Sequence, residues 1–175
     1  MKESKALSCI IKTPLGQILA SAEDGALRGL WFIGQKYYPS NSGNWINKPD
    51  DPIFISLKTW LEDYFTGKKP KITFPLSPPG TDFQQAVWKL LRKIPYGKTT
   101  TYGTIAKQLN ESGIKASAQA AGGAVGHNPI SILIPCHRVL GADGNLTGYA
   151  GGLEKKQALL ELEGVITGSL PGFPR

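Results

Sequence analysis

The segment Lys68–Gly80, KKPKITFPLSPPG, constrains this chain more than any other stretch. Each proline fixes φ and removes a backbone donor, so neither a helix nor a central strand can run through it. The 175 residues therefore divide into two parts, 1–76 and 81–175. That length suits two small parts sharing an interface. The patterns on the two sides differ in kind.

Upstream, Cys9–Ile11, Ile18–Ala20 and Leu27–Ile33 are short apolar runs. Turn residues at Pro14-Leu15-Gly16 and Glu23-Asp24-Gly25 separate them, which predicts an antiparallel meander. Residues 34–50 are rich in Gly, Asn, Ser and Pro and read as loop. Asp51-Pro52 then opens a helix, with aspartate as N-cap and proline at the first helical position. Ile53, Leu57, Trp60, Leu61 and Tyr64 share one face of it, and Gly67 ends it.

Downstream the period is helical. Thr81 and Gln84 form a capping-box pattern. The helix they open places Phe83, Val87, Leu90, Leu91 and Ile94 on one face, and Pro95-Tyr96-Gly97 stops it. A short helix is expected over Thr104–Leu109, then a loop around Glu111–Lys115, then a helix within the small-residue run Ala116–Ala124. Two such helices in a basic neighbourhood are compatible with a helix-turn-helix. A last helix is expected over Leu153–Glu163, with Gly164 as its cap.

Net charge is +7, with a pI near 9.4. Lys89, Arg92, Lys93, Lys98, Lys107 and Lys115 face only Glu111 within that interval, and such a basic balance favours a polyanionic partner, nucleic acid first. No stretch is apolar enough to span a bilayer, and no apolar leader precedes Cys9, so a cytoplasmic protein is expected. The two cysteines make no disulfide framework. Cys9 and His127 do not assemble a ligand set for zinc, and no metal is expected.

The chemistry concentrates in Ile134–Val139, IPCHRV. Ile130–Ile134 reads as a buried strand that Pro135 ends, leaving Cys136 at its tip. A thiol needs a base or a positive field to become a nucleophile. His137 is adjacent, but neighbours on an extended chain point to opposite faces, so a bridging water or a tight turn has to connect them. A third group should orient the imidazole, and Glu163, Glu161 and Asp143 are the candidates. Glu163 stands out because a helix C-terminus disfavours negative charge and so invites a partner.

Several stretches in this order resemble the O6-alkylguanine-DNA alkyltransferases, also called methylated-DNA–protein-cysteine methyltransferases. They are Phe83–Ala106 (FQQAVWKLLRKIPYGKTTTYGTIA), Asn128–Gly152 (NPISILIPCHRVLGADGNLTGYAGG) and Lys155–Gly164 (KKQALLELEG). The resemblance covers Thr81–Gly164; the N-terminal part shares only the outline of strands plus a helix. The fold it implies is an α/β two-part protein. A small antiparallel sheet with a helix, ribonuclease H-like, precedes a mainly helical domain with a helix-turn-helix.

The resemblance implies a single-use repair reaction on double-stranded DNA. An O6-alkylguanine is flipped out through the minor groove and a thiolate takes its alkyl group; O4-alkylthymine is a second candidate substrate. Cys136 would accept the alkyl group, His137 would draw its proton through a water, and Glu163 would hold His137. Asn128 would brace the site, and Tyr102 would donate toward the departing guanine. Tyr149, Val139, Ala150 and Gly151 would line the base pocket. Thr101, Tyr102, Gln119, Ala120, Gly122 and Gly123 would meet DNA. Gln119 stands where the family usually carries an arginine that fills the gap left by the flipped base, and Ala150 where some members carry a hydroxyl. No cofactor is implied, and a monomer is expected. Two other readings compete: a Cys-His acyl hydrolase, which needs an oxyanion hole and turnover, and a DNA-binding module with an inert Cys136.

Overall fold

The computed structural model describes residues 5–165. The chain divides into two units, residues 1–79 with 129–131, and residue 80 onward without 129–131. In the first unit, β1 (Leu7–Thr13), β2 (Gly16–Glu23) and β3 (Ala26–Phe32) form the expected meander. A two-residue β4 (Ile46–Asn47) adds to β1 in parallel, giving the order β3-β2-β1-β4. β4 falls inside the stretch read from sequence as loop.

α1 (Pro52–Phe65) starts where its cap predicts: the Asp51 carboxylate accepts from Ile53 N–H at 3.1 Å. Its buried stripe is Ile53, Phe54, Leu57, Trp60, Leu61 and Tyr64, at the spacing that turns one helical face inward. The proline-rich segment, which by its composition reads as a linker between the two parts, is extended as proline requires, but it is tied to the first unit. Leu27 and Leu76 form a parallel bridge on β3, held by Leu27 N–H to Pro75 O (2.9 Å) and Ser77 N–H to Leu27 O (2.7 Å). The Trp60 indole N–H donates to Pro70 O at 3.2 Å.

The second unit is mainly helical. α2 (Asp82–Leu91) begins with a complete capping box between Thr81 and Gln84. α3 (Tyr102–Glu111) is longer than the periodicity predicts, because Thr101 rather than a later residue caps it. α4 (Ala118–Gly126) follows after residues 112–117, capped by Ser117. The buried Trp88 indole donates to Ala124 O at 2.8 Å and ties α2 to α4. Between α2 and α3, β5 (Thr100–Thr101) pairs in parallel with β6 (Val139–Leu140). α5 (Leu153–Leu162) ends one residue early, with Glu163 as its cap and Gly164 just beyond at φ +85°.

A further expectation fails. Ile130–Ile134 is not a strand; only Ile130 bridges, to Leu30, and residues 131–134 turn. Ile132 adopts φ +71°, which no strand residue does. The run is apolar because every residue in it is buried, and burial alone does not distinguish a strand from a buried turn. The part that begins at residue 81 extends by sequence to residue 175, and its segment past 165 lies outside the described residues.

Candidate active site

Pro135 shapes the turn that presents Cys136. Its φ of −80° and ψ of 65° are those of an inverse γ-turn, closed by Cys136 N–H to Ile134 O at 2.7 Å. Arg138 N–H then donates to Pro135 O at 3.0 Å, winding Cys136–Arg138 into one turn of 3-10 helix. Cys136 therefore sits on a tight turn and not on a strand tip. Asn128 spans the turn from outside: its amide nitrogen donates to Ile134 O at 2.7 Å, and its side chain also bonds the Cys136 sulfur.

His137 is wholly buried. Its Nε2 lies 2.6 Å from Glu163 Oε2. Arg138 grips the same carboxylate with two nitrogens, Nε to Oε1 at 2.7 Å and Nη2 to Oε2 at 3.0 Å. Gly97 N–H supplies a fourth bond to Oε1 at 3.1 Å. Gly97 is required there: its φ is +77°, and a Cβ would come within 3.0 Å of Glu163 O. The third arginine nitrogen, Nη1, donates to Ile94 O at 2.6 Å. Of the three orienting candidates only Glu163 reaches the imidazole. Glu161 bonds Gln157 instead, and Asp143 is exposed.

This arrangement fixes a tautomer. A carboxylate held by Arg138 only accepts, so Nε2 of His137 carries the proton and donates to it. Nδ1 then keeps its lone pair, and among the described residues no atom bonds it. Burial pushes the imidazole below its ordinary range against the opposing pull of Glu163, so His137 is neutral at pH 7. Burial likewise pushes the Cys136 thiol above 9.0, against lowering by Asn128, the charge of Lys156 and nearby backbone N–H groups. The resting pair is thus a neutral thiol and a neutral imidazole, with a buried carboxylate ready to stabilise an imidazolium.

The β5–β6 pairing sets Thr100 opposite Val139, and so brings the start of α3 beside the cysteine turn. Tyr102, half-buried, donates from its hydroxyl to Thr147 O at 3.0 Å. On α4, Gln119, Ala120 and Gly123 are exposed, and Gly122 lies under the Tyr102 ring. Tyr149, Ala150 and Gly151 are half-buried in the loop that precedes α5.

Comparison with known proteins now decides the family. The family model for the 6-O-methylguanine DNA methyltransferase DNA-binding domain matches residues 82–165, and that for its ribonuclease-like domain matches residues 8–78. A Mycobacterium bovis methylated-DNA–protein-cysteine methyltransferase is 46% identical over 153 residues, covering 87% of this chain and 89% of its own length. The chain belongs to the methylated-DNA–protein-cysteine methyltransferase family. A Haemophilus influenzae relative of the same name is 42% identical over 152 residues, 86% of this chain and 82% of its own. The crystal structure of Mycobacterium tuberculosis OGT in complex with DNA is similar with a TM-score of 0.79 at 42% identity, covering 90% of this chain and 92% of that one.

Within this methyltransferase family member, two buried cations escaped the sequence reading. Arg138 is one. Lys156 is the other: it is fully buried, and its ammonium donates to Val139 O (2.6 Å), Thr147 O (3.0 Å) and Gly148 O (3.1 Å). Burial lowers its pKa from 10.5 to about 8. A signal for it existed. Lys156, Leu159, Leu160 and Glu163 fall at i, i+3, i+4 and i+7, so the lysine shares the buried stripe of α5.

Proposed function

We propose that this protein repairs O6-alkylguanine in double-stranded DNA by moving the alkyl group irreversibly onto Cys136, once per molecule. The observation that carries the reading is the buried Glu163–His137 pair, with His137 adjacent to Cys136 and its Nδ1 bonded by no atom of the described residues. A water joining Nδ1 to the thiol would carry the proton to His137 as sulfur attacks. Glu163 would hold the resulting imidazolium. The S–C bond forms as the C–O6 bond breaks, and the electron pair leaves on guanine. Tyr102 donates a hydrogen bond to the departing base and Asn128 braces the turn. The product is a thioether, which water does not cleave, so no turnover follows.

In this reading Tyr149, Val139, Ala150 and Gly151 wall the base pocket. α3 and α4 act as a helix-turn-helix that enters the minor groove, where sequence readout is degenerate and suits a repair protein. Thr101, Tyr102, Gln119, Ala120, Gly122 and Gly123 form the DNA-facing set. The mispaired O6-alkylguanine costs less to extrude than a normal base. The division at 76–81 then separates a sheet-bearing scaffold from the reacting, DNA-binding part, which works as a cytoplasmic monomer. An O4-alkylthymine offers the same electrophilic carbon and is a second candidate.

The test is intact mass before and after incubation with a duplex carrying one O6-methylguanine, beside Cys136→Ser. One methyl gained per molecule, with guanine restored and no gain in the variant, is expected. Repeated turnover without a stable adduct would favour a hydrolase, and DNA binding without any adduct would leave a binding module.

A further inference from the structure

Two donors from different helices meet on one carbonyl. Thr147 O accepts from the Tyr102 hydroxyl and from the Lys156 ammonium, both at 3.0 Å. The remaining Lys156 donors go to Gly148 O, next in the loop, and to Val139 O, next after the cysteine turn. The ammonium thus spends all three N–H groups on two segments: the loop that leads into Tyr149, and the strand residue that follows Cys136-His137-Arg138. The groups facing it are the Cys136 sulfur, the His137 ring and the Tyr102 ring, whose centroid is 5.9 Å from Nζ. Among the described residues Lys156 makes no salt bridge, so its charge serves carbonyls and not a counter-ion.

We propose that Lys156 is a positioning residue for alkyl transfer, clamping the 147–149 loop to the cysteine turn while Tyr102 exchanges Thr147 O for the incoming base. The inference rests on the alkyl-transfer reading above. The exchange follows from hydrogen-bond accounting. The Tyr102 hydroxyl has one proton, and Thr147 holds it. For Tyr102 to serve a flipped guanine, that bond has to break. Thr147 O then keeps Lys156 as its donor, and the pocket wall at Tyr149 stays in register with the sulfur. Without the ammonium, the same exchange frees the loop at the moment the base enters.

The experiment uses Lys156→Met, which keeps the apolar stem and removes the donors. Amide hydrogen exchange at Thr147–Tyr149 is measured in the free protein. Duplex affinity and the maximal single-turnover transfer rate are measured on O6-methylguanine DNA between pH 6.5 and 9. The expected variant binds the duplex as the wild type does, transfers about 10–100-fold more slowly, and exchanges faster at the loop amides. The wild-type rate should fall as pH rises through about 8, where the ammonium loses one of its three donors, and this descending limb should vanish in the variant. A merely structural role would lower affinity and rate together and leave the shape of the pH profile alone; that result overturns the proposal. So does an unchanged transfer rate or unchanged loop exchange. Should the variant fail to fold, the wild-type profile decides, and a rate without the limb refutes the clamp. A wild type that transfers nothing refutes the alkyl-transfer reading instead, and the loop exchange rates still judge the clamp separately.

Discussion

Gly123→Leu separates what α4 needs for folding from what it needs for DNA. Gly123 is exposed, and a Cβ there meets nothing within 4 Å. The position has ordinary helical backbone, since Gly123 is not among the glycines with positive φ. Leucine therefore fits without strain. Glycine costs a helix about 0.8–1 kcal/mol relative to alanine, and leucine only a few tenths, so the change should stabilise the fold by about 0.6 kcal/mol. For a chain of this size that raises Tm by about 2 °C. On the DNA side the sign reverses. Ala120 and Gly123 give the outer face of α4 a stretch with almost no side-chain bulk, and an isobutyl group there would hold the helix axis away from the groove. Losing close contact along one helix should weaken duplex binding at least about tenfold, or roughly 1.4 kcal/mol. Thermal melting and fluorescence anisotropy with a labelled duplex read the two effects. Alkylation of Cys136 by iodoacetamide should be unchanged, which shows that the site is intact. A leucine variant that binds DNA as tightly as the wild type would refute the idea that α4 presses its backbone against DNA.

Three further predictions concern the site. Glu163→Gln leaves Arg138 buried without its counter-ion, which costs about 3–5 kcal/mol and lowers Tm by about 10 °C in a melting scan, with transfer slowed as the imidazolium loses its carboxylate. Gln119→Arg should tighten duplex binding and speed transfer, because a charged, longer side chain better supports an extruded base; unchanged affinity and rate in anisotropy and mass assays would end that idea. Stability should depend on pH in two windows, read by chemical denaturation. His137 has a folded pKa below its unfolded 6.5, so the unfolded chain binds more protons there and stability falls as pH drops below about 6.5. Lys156 has a folded pKa of about 8 against 10.5, so stability rises with pH above about 8, by up to about 3 kcal/mol from this group alone. Above 9.0 the raised Cys136 thiol opposes it, so the window between about pH 8 and 9 isolates the lysine.

Local signals in the sequence were legible where one residue settles a local geometry. Asp51-Pro52 and Thr81 with Gln84 mark helix starts because each satisfies a specific orphan N–H, and both caps form as expected. Glu163 was legible by a different route: a carboxylate at a helix C-terminus is unfavourable alone, and the structure gives it His137 and Arg138. The turn at 131–134 was not legible. Its β-branched, apolar composition matches a strand, and only the long-range burial of each residue permits Ile132 to sit at φ +71°. Lys156 was hidden by an assumption about residue type. Lysine is rarely fully buried, so its place on the apolar stripe of α5 carried no weight until three carbonyls were seen around it.

The placement of Glu163 bears on when the thiol becomes usable. It lies 26 residues beyond His137 and caps α5, the last helix of the described residues. A chain growing from its N-terminus therefore makes Cys136 well before the carboxylate that, in the proposed reaction, would support its ionisation. Until α5 docks, the His137 imidazole next to Cys136 lacks the carboxylate that anchors it. In the proposed reaction, arming the nucleophile is thereby tied to the docking of α5.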